Sequence, residues 1–480
     1  MAASPSTPKR LVFCFDGTTN TLDTRHTTNV VKLAQSLSPM AKGVAQLIYY
    51  DRGVGTDPGE KIRGGALGHG LDKNLYDAYA FLIFNYTPGD EIYVFGFSRG
   101  AYTARSFVGL IYHCGVLRRR DAGQISEAIA FYRSRDELDG PMTDRGLEFR
   151  RQKSPLVCVS EEDEEYRCRN EPGYQAGDAQ RLHIDYLGIW DTVGALGLPA
   201  HWLLSRLDQR AYQFHDTQLT SFVKTARHAV AIDERRLTFS PTLWSNVAEL
   251  NLKAGKDPAS ASAPYQQQWF PGDHGSVGGG GDREGLSDQA FRWIVDGARA
   301  AGLHVDSDPS SRIYEIVPNH REHLQNVSKP RHPSLMQRLS NRIWGLAKTG
   351  DRAPGPQRLH EVSVSARRRW LDHPADMMGG GPYRPAPLTG LADELNQLSA
   401  ADYGVDRTVA QLNDPKAYLF HKVRANDSLV KIARLYYGDP DRADELLAAN
   451  RDSLQSASEI SAGGTVRVPL PVVTTEKAPA

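Results

Sequence analysis

The chain has 480 residues, 40% of them hydrophobic, and its 57 basic and 57 acidic residues give a formal net charge of zero. This length predicts one large domain and a small one, since single cores rarely grow beyond about 250–300 residues. The balanced charge provides no basic surplus for nucleic acid, so we expect no nucleic-acid partner.

Residues 1–10 are polar and lead directly into a predicted strand, without the apolar segment that a Sec signal needs. We therefore expect synthesis in the cytoplasm, no Sec export, and any secretion by a signal-independent route. No run of residues is apolar enough to predict a membrane-spanning helix.

Continuous apolar runs that end in polar or glycine-containing turns are typical of strands buried on both faces. The chain has four such runs, at residues 11–15, 47–50, 92–95 and 184–190, with helical patterns at 30–37 and 71–85. This alternation predicts an α/β fold with a mostly parallel sheet flanked by helices, whose functional groups gather at the carboxyl ends of the strands.

The third predicted strand runs into Gly96-Phe97-Ser98-Arg99-Gly100 and then into an amphipathic helical pattern. This order is typical of a nucleophile elbow, in which a strand, a sharp turn and a helix present a serine above the sheet. The glycines are needed because side chains beside the strained serine would clash. We predict that Ser98 is a nucleophile; the alternative is an ordinary glycine-flanked turn.

A serine nucleophile needs a general base, and the base needs an orienting carboxylate. In α/β hydrolases these follow the serine in the order acid, then histidine. His274, in a glycine-rich loop, is the predicted base, and its alternative is a loop histidine that caps the next helix. Asp191, at the end of the fourth strand, is the predicted acid, although it could be a helix N-cap. Asp233 is the main competitor, but its neighbours suggest a buried salt-bridge cluster.

The oxyanion hole requires two hydrogen-bond donors. The N–H of Arg99, directly after the nucleophile, is the expected first donor, and Gly17, after the first strand, is the expected second. Asp16 either organises this loop or holds a cation, and the sequence leaves both roles open. No cofactor is predicted and no metal is assigned.

Two segments interrupt the α/β pattern. The charged composition of residues 133–179 predicts an insertion, which is either a cap beside the active site or a solvated surface loop. Residues 326–387 are rich in proline and glycine, and the amphipathic stretch at 335–347 within them is expected to pack on the core rather than lie at a membrane interface. Cys158 and Cys168 would pair only in an oxidising compartment.

Four motifs together resemble a known family. Residues 15–18, 96–101, 190–194 and 269–280 are similar to a group of α/β hydrolases that includes the type VI secretion phospholipase effectors of bacteria. The resemblance covers residues 9–390, with the insertion at about 133–180. It implies a serine esterase acting on lipid or other acyl esters. Peripheral contact with a membrane stays open. It places nucleophile, acid and base on Ser98, Asp191 and His274. After His274 the chain reads Gly-Ser-Val where the family commonly has Ser-Asp-Val, so this loop is expected to be held differently.

The C-terminal residues 418–470 read as strand, capped helix, second helix and closing strand. This βααβ pattern resembles a LysM module, which implies binding to N-acetylglucosamine polymers such as peptidoglycan. Asn426 stands where that family usually has glycine, and residues 436–439 resemble modules of intracellular and phage-tail proteins, so docking and assembly roles stay open. A linker at 391–417 precedes the module, and a disordered tail at 471–480 follows it.

Two functions are consistent with these patterns. The first is a serine ester hydrolase of the lipase or phospholipase kind, tethered by the LysM-like module. The second is a binding or assembly protein that uses the hydrolase fold as a scaffold. The presence of serine, aspartate and histidine in hydrolase order favours the first, since a scaffold has no need of all three.

Overall fold

The computed structural model describes residues 8–17, 24–53, 66–193, 218–306, 311–324, 349–372, 377–378, 383–398, 418–423, 427–437, 440–451 and 453–469. Its strands are β1 (Arg10–Phe15), β2 (Met40–Ala41), β3 (Val44–Asp51), β4 (Glu91–Phe97), β5 (Val157–Cys158), β6 (Gln180–Arg181), β7 (Tyr186–Trp190), β8 (Ala226–Ala231) and β9 (Tyr265–Phe270).

Seven of these strands form the central sheet, in the order β2-β3-β1-β4-β7-β8-β9. Every neighbouring pair is parallel except β2 with β3. The prediction of a mostly parallel sheet is therefore confirmed. Strands β8 and β9, which complete one edge, were not among the predicted strands, because β8 contains arginine and histidine and β9 carries three glutamines.

The helices of the main body are α1 (Asn29–Gln35), α2 (Ala66–Asn85), α3 (Arg99–Cys114), α4 (Ile125–Arg133), α5 (Asp144–Lys153), α6 (Glu161–Asn170), α7 (Val247–Lys253), α8 (His274–Gly278), α9 (Gly285–Ala300), α10 (Val364–Leu371) and α11 (Ala392–Asn396). Alternate residues of β1 point into two separate hydrophobic cores, as the two faces of a strand must. One core includes α2, α3 and α4 and the other includes α1 and α9, so helices flank both faces.

The predicted insertion contains two helices, α5 and α6, rather than only a surface loop. Their charged residues include a fully buried cluster of Arg150, Asp163 and Arg167. Arg150 Nε donates to Asp163 Oδ2 at 2.9 Å, and Arg167 Nη2 donates to the carbonyl of Val157 at 2.8 Å. These bonds explain how so polar a sequence packs against the body, since buried charges must be paired.

A third core lies at the β9 edge, where Val230 and Trp269 pack with Val362 and with the α11 region. Leu391 and Leu395 are buried in it, so packed residues extend past the boundary at 390 into the predicted linker. The amphipathic stretch at 335–347 lies outside the described residues.

The C-terminal unit consists of β10 (Tyr418–Lys422), α12 (Leu429–Tyr437), α13 (Ala443–Ala449) and β11 (Thr465–Pro469). Strands β10 and β11 pair antiparallel, and the unit has its own hydrophobic core. The βααβ order agrees with the sequence pattern, while the LysM identity stays a prediction. The predicted tail at 471–480 lies outside the described residues.

None of the helices that the structure describes is long and apolar enough to cross a membrane. The four cysteines are free thiols, with Cys14, Cys114 and Cys158 buried and Cys168 exposed.

Candidate functional site

Ser98 lies in the sharp turn between β4 and α3, where the elbow pattern predicted it. The turn is compact: a Cβ on Gly96 would lie 2.5 Å from the carbonyl oxygen of Gly100. A Cβ on Gly100 would lie 2.1 Å from the carbonyl oxygen of Phe15, so α3 begins directly against the end of β1. Both glycines are therefore required by close backbone approach.

The backbone at this site is strained. Among the described residues other than glycine, only Lys42, Ser98 and Asp191 have positive φ angles. Ser98 has φ 58° and ψ −121°, and Asp191 has φ 38°. Such conformations cost about 1–3 kcal/mol each and persist where the surroundings enforce them, most often at functional sites.

The structure brings the three predicted residues into one hydrogen-bonded chain. His274 Nε2 lies 2.8 Å from Ser98 Oγ, and His274 Nδ1 lies 2.6 Å from Asp191 Oδ2. Ser98 and Asp191 follow the neighbouring strands β4 and β7, and His274 begins α8 just after β9, so all three meet at the carboxyl edge of the sheet. Only 7% of Ser98 and 7% of His274 is exposed, and Asp191 is fully buried.

Arg352 binds the far side of the Asp191 carboxylate. Its Nη1 lies 2.5 Å from Asp191 Oδ1, and its Nη2 lies 2.8 Å from Asp191 Oδ2. The same two nitrogens donate to the carbonyl oxygens of Ala231 and Phe239, at 2.9 and 2.8 Å. The arginine side chain is 3% exposed, so this is a buried, bidentate ion pair.

The electrostatics keep Asp191 ionised. Burial alone would raise its pKa, but the charge of Arg352 and hydrogen bonds from His274 and Arg352 outweigh burial and hold the pKa well below its usual range. Its Oδ1 also accepts the N–H of Ala231 at 2.9 Å. An ionised carboxylate on Nδ1 orients the imidazole so that Nε2 faces the serine.

The competing acid, Asp233, lies elsewhere. Its Oδ2 accepts the N–H of Gly272 at 2.7 Å and the hydroxyl of Tyr383 at 2.9 Å. Asp233 therefore fixes the backbone before His274 rather than the imidazole. Asp273 caps α8 by accepting the N–H of Ser276 at 2.8 Å. This hydrogen bond holds the segment that reads Gly-Ser-Val after His274.

The loop after β1 lies beside the elbow. The Asp16 carboxylate is fully buried and accepts hydrogen bonds from the N–H of Gly17 (2.7 Å), the Thr28 hydroxyl (2.8 Å) and the Tyr50 hydroxyl (2.9 Å). These contacts are the ones expected if Asp16 organises the loop. The described residues contain no group of three or more potential metal ligands. The N–H of Gly17 is engaged, so it can act as an oxyanion donor only if its bond to Asp16 opens.

A cavity of about 430 Å³ runs beside α3. Its walls include Arg105, Tyr112, Tyr132 and Trp244, together with residues 134–137 and 139–141 of the insertion. Ser98, Asp191 and His274 do not line it. Arg105 comes seven positions after Ser98, about 10 Å along the helix axis at 1.5 Å per residue. The volume falls in the range of small-molecule sites.

A family comparison covers the three residues of this hydrogen-bonded chain. The family described as T6SS phospholipase effector Tle1-like, catalytic domain, matches residues 9–297, which is more than half of the chain. The chain belongs to this family. The matched residues of the Tle1-like domain include Ser98, Asp191 and His274, and they end before Arg352.

Other similarities are weaker. The uncharacterized protein YEL023C of Saccharomyces cerevisiae is 29% identical over 249 residues, which are 49% of this chain and 32% of the yeast protein. The chain thus spans about a third of the length of this curated relative. A structure of the Tle1 effector bound to the VgrG spike from the type VI secretion system has 19% identity and a TM-score of 0.30, over 57% of this chain and 51% of that chain. A crystal structure of an uncharacterized Pseudomonas aeruginosa protein has 17% identity and a TM-score of 0.32, over 84% and 62%.

Sequence reasoning missed Arg352. It lies in the irregular segment after the Tle1-like domain, 161 positions from Asp191, and no local motif marks it. Only the fold brings it to the carboxylate: Gly350 N donates to the carbonyl of Arg235 at 2.8 Å, which anchors this segment beside the end of β8.

Proposed function

We propose that this Tle1-like protein is a serine ester hydrolase of the lipase or phospholipase kind. Ser98 is the nucleophile, His274 the general base and Asp191 the orienting acid. The observation that carries the proposal is the unbroken chain from Ser98 Oγ through both nitrogens of His274 to Asp191, with bonds of 2.8 and 2.6 Å.

In the proposed reaction, Ser98 Oγ attacks the ester carbonyl carbon while His274 Nε2 takes the hydroxyl proton. The N–H of Arg99, at the start of α3, stabilises the developing oxyanion. Collapse of the intermediate releases the alcohol, which receives the proton from His274, and leaves an acyl group on Ser98. Water, deprotonated by His274 Nε2, then attacks the carbonyl carbon of this acyl-enzyme. As the second intermediate collapses, the bond to Ser98 Oγ breaks, His274 returns the proton to this oxygen, and the carboxylic acid is released. Asp191 stays ionised and stabilises the protonated imidazole.

We infer that the substrate is a lipid acyl ester. Membership in the phospholipase effector family supports this class. The cavity beside α3 is not assigned to this substrate, since none of the three triad residues lines it.

Short-chain p-nitrophenyl esters provide the first test. The wild type should hydrolyse them and react with a fluorophosphonate probe, and Ser98→Ala should do neither. Ser106→Ala is a matched control, since Ser106 is also a buried serine of α3 and should not affect labelling. A wild type without turnover or labelling would refute the esterase proposal.

The lipid class needs a separate measurement. Vesicles of defined phospholipids, incubated with wild type or Ser98→Ala and analysed by mass spectrometry, should release fatty acid or lysophospholipid only with the wild type. Turnover of soluble esters without any phospholipid product would reject the phospholipase assignment alone. We further propose secretion by the type VI route, in keeping with the family.

For the C-terminal unit we propose a tethering role, with glycan binding and docking to the secretion apparatus as the two candidates. Its separate hydrophobic core supports an independent module. A pull-down on insoluble peptidoglycan should retain the full chain and lose a variant without residues 415–480. Equal retention of both proteins would reject glycan binding and favour docking.

A further inference from the structure

The buried guanidinium of Arg352 has no part in the mechanism above, yet it contacts the proposed acid directly. Arg352 donates to both carboxylate oxygens of Asp191 and to two main-chain carbonyls, so four hydrogen bonds hold it. The carbonyl oxygens of Ala231 and Phe239 fix the plane of the Arg352 guanidinium independently of Asp191. A planar, doubly anchored donor of this kind restricts the carboxylate to one orientation.

We propose that Arg352 is a positioning residue of the catalytic centre: it fixes the Asp191 carboxylate for His274, and its positive charge acts on the Asp191–His274 pair. This inference rests on the proposed function. It extends the centre beyond the Tle1-like domain match, which ends at residue 297.

The charge effect follows from the geometry. Arg352 Nη2 and His274 Nδ1 contact the same oxygen, at 2.8 and 2.6 Å, so they lie no more than about 5.4 Å apart. A positive charge at that distance opposes protonation of the imidazole, and burial leaves little solvent to screen it. With an effective dielectric constant of about 20, removing this charge should raise the pH at which the Asp191–His274 pair takes up its proton by about two units.

Other titratable or charged groups surround the pair and are the same in all variants. Glu234 Oε2 accepts the main-chain N–H of His274 at 3.3 Å, and Arg236 is bound to Glu234. The remaining groups are Asp273 at the start of α8, His228 on β8 and Arg105 on α3. Because they are common to all proteins compared, a difference between variants reports Arg352.

Two substitutions separate charge from geometry. Arg352→Met removes both, whereas Arg352→Lys keeps a positive charge without the bidentate fork. Arg167→Met is the matched control, since Arg167 is an equally buried arginine that hydrogen bonds an aspartate and carbonyls in the insertion. Urea denaturation of each variant at every pH used identifies the range in which it is folded.

The kinetic test is the pH dependence of kcat/KM on p-nitrophenyl acetate. In Arg352→Met the acidic limb of the profile should move up by about two pH units. Activity should therefore fall about 100-fold at pH values below the wild-type limb but much less above pH 9. In Arg352→Lys the limb should stay within about half a unit while kcat falls. A loss by the same factor at every pH, as in a merely structural role, would overturn the proposal.

A second readout does not depend on turnover. The imidazole resonances of 15N-histidine-labelled protein, assigned with His274→Gln, should titrate at higher pH in Arg352→Met than in wild type, while Arg167→Met matches wild type. An unchanged titration would overturn the proposal even if esterase activity is present. Lack of esterase activity in the wild type with a shifted titration would instead reject the proposed function alone.

Discussion

Replacing Asp191 by asparagine should damage stability and activity together, for two different reasons. Asp191 is fully buried and Arg352 is 3% exposed on its side chain, so the substitution leaves a desolvated guanidinium without its counter-charge. Breaking a buried ion pair in this way costs about 3–5 kcal/mol in the free energy of unfolding. The amide also places the wrong group on His274 Nδ1, which should lower kcat/KM by about 10³- to 10⁴-fold.

The double variant Asp191→Asn/Arg352→Met separates the two effects. It removes the guanidinium that has lost its counter-charge and keeps at 191 a residue that tolerates the positive φ, so part of the lost stability should return. Activity should not return, because His274 still lacks its carboxylate.

The assays are urea denaturation for stability and p-nitrophenyl acetate turnover for activity. Asp163→Asn is the matched control, because it leaves Arg150 and Arg167 buried without their shared carboxylate, in the insertion rather than at the triad. It should lose similar stability and keep its turnover while folded. A double variant as unstable as Asp191→Asn would refute the account of the buried pair, and an active Asp191→Asn would refute the role of the acid.

Three further predictions concern the surroundings of the site. Burial, followed by the charge of Arg105, lowers the pKa of His228 to about 3. Below about pH 6.5 the unfolded chain therefore binds a proton that the folded chain does not, and the free energy of unfolding should fall as the pH drops. Between pH 7.5 and 5.0 the urea-derived free energy should lose about 2 kcal/mol more in wild type than in His228→Gln, and equal losses would contradict this. Gly278→Ala places a Cβ 1.9 Å from the Phe97 ring and should cost about 1–3 kcal/mol and reduce turnover by moving α8, whereas Gly123→Ala, with open space around it, should do neither. If Asp16 organises its loop, EDTA should leave the melting temperature unchanged and Asp16→Asn should lower stability by about 1–3 kcal/mol; destabilisation by EDTA would instead indicate a cation.

Local signals were sufficient for the elbow and for the class of fold. Strand β4, the two glycines and the start of α3 are adjacent in sequence, and steric exclusion at Gly96 and Gly100 depends on backbone only a few residues away or at the end of β1. The apolar strands of the sheet could be predicted equally well, because a strand buried on both faces needs an uninterrupted apolar run. Strands β8 and β9 were not predicted, because their histidine, arginine and glutamine side chains interrupt the apolar pattern and find partners only inside the fold. His228 Nδ1, for example, contacts Gln267 Oε1 at 2.9 Å.

The sequence by itself determined the residue types of the site, their order and the strand ends that carry them, since these depend on local sterics and hydrophobic pattern. Tertiary structure alone decided that Asp191, rather than Asp233, contacts His274, that Asp16 engages the N–H of Gly17, and that Arg352 reaches Asp191 from 161 positions away. The physical reason is that a hydrogen bond or ion pair depends on distances of about 3 Å between atoms. Such distances are set by how the whole chain packs, and neither charge nor spacing along the sequence encodes them.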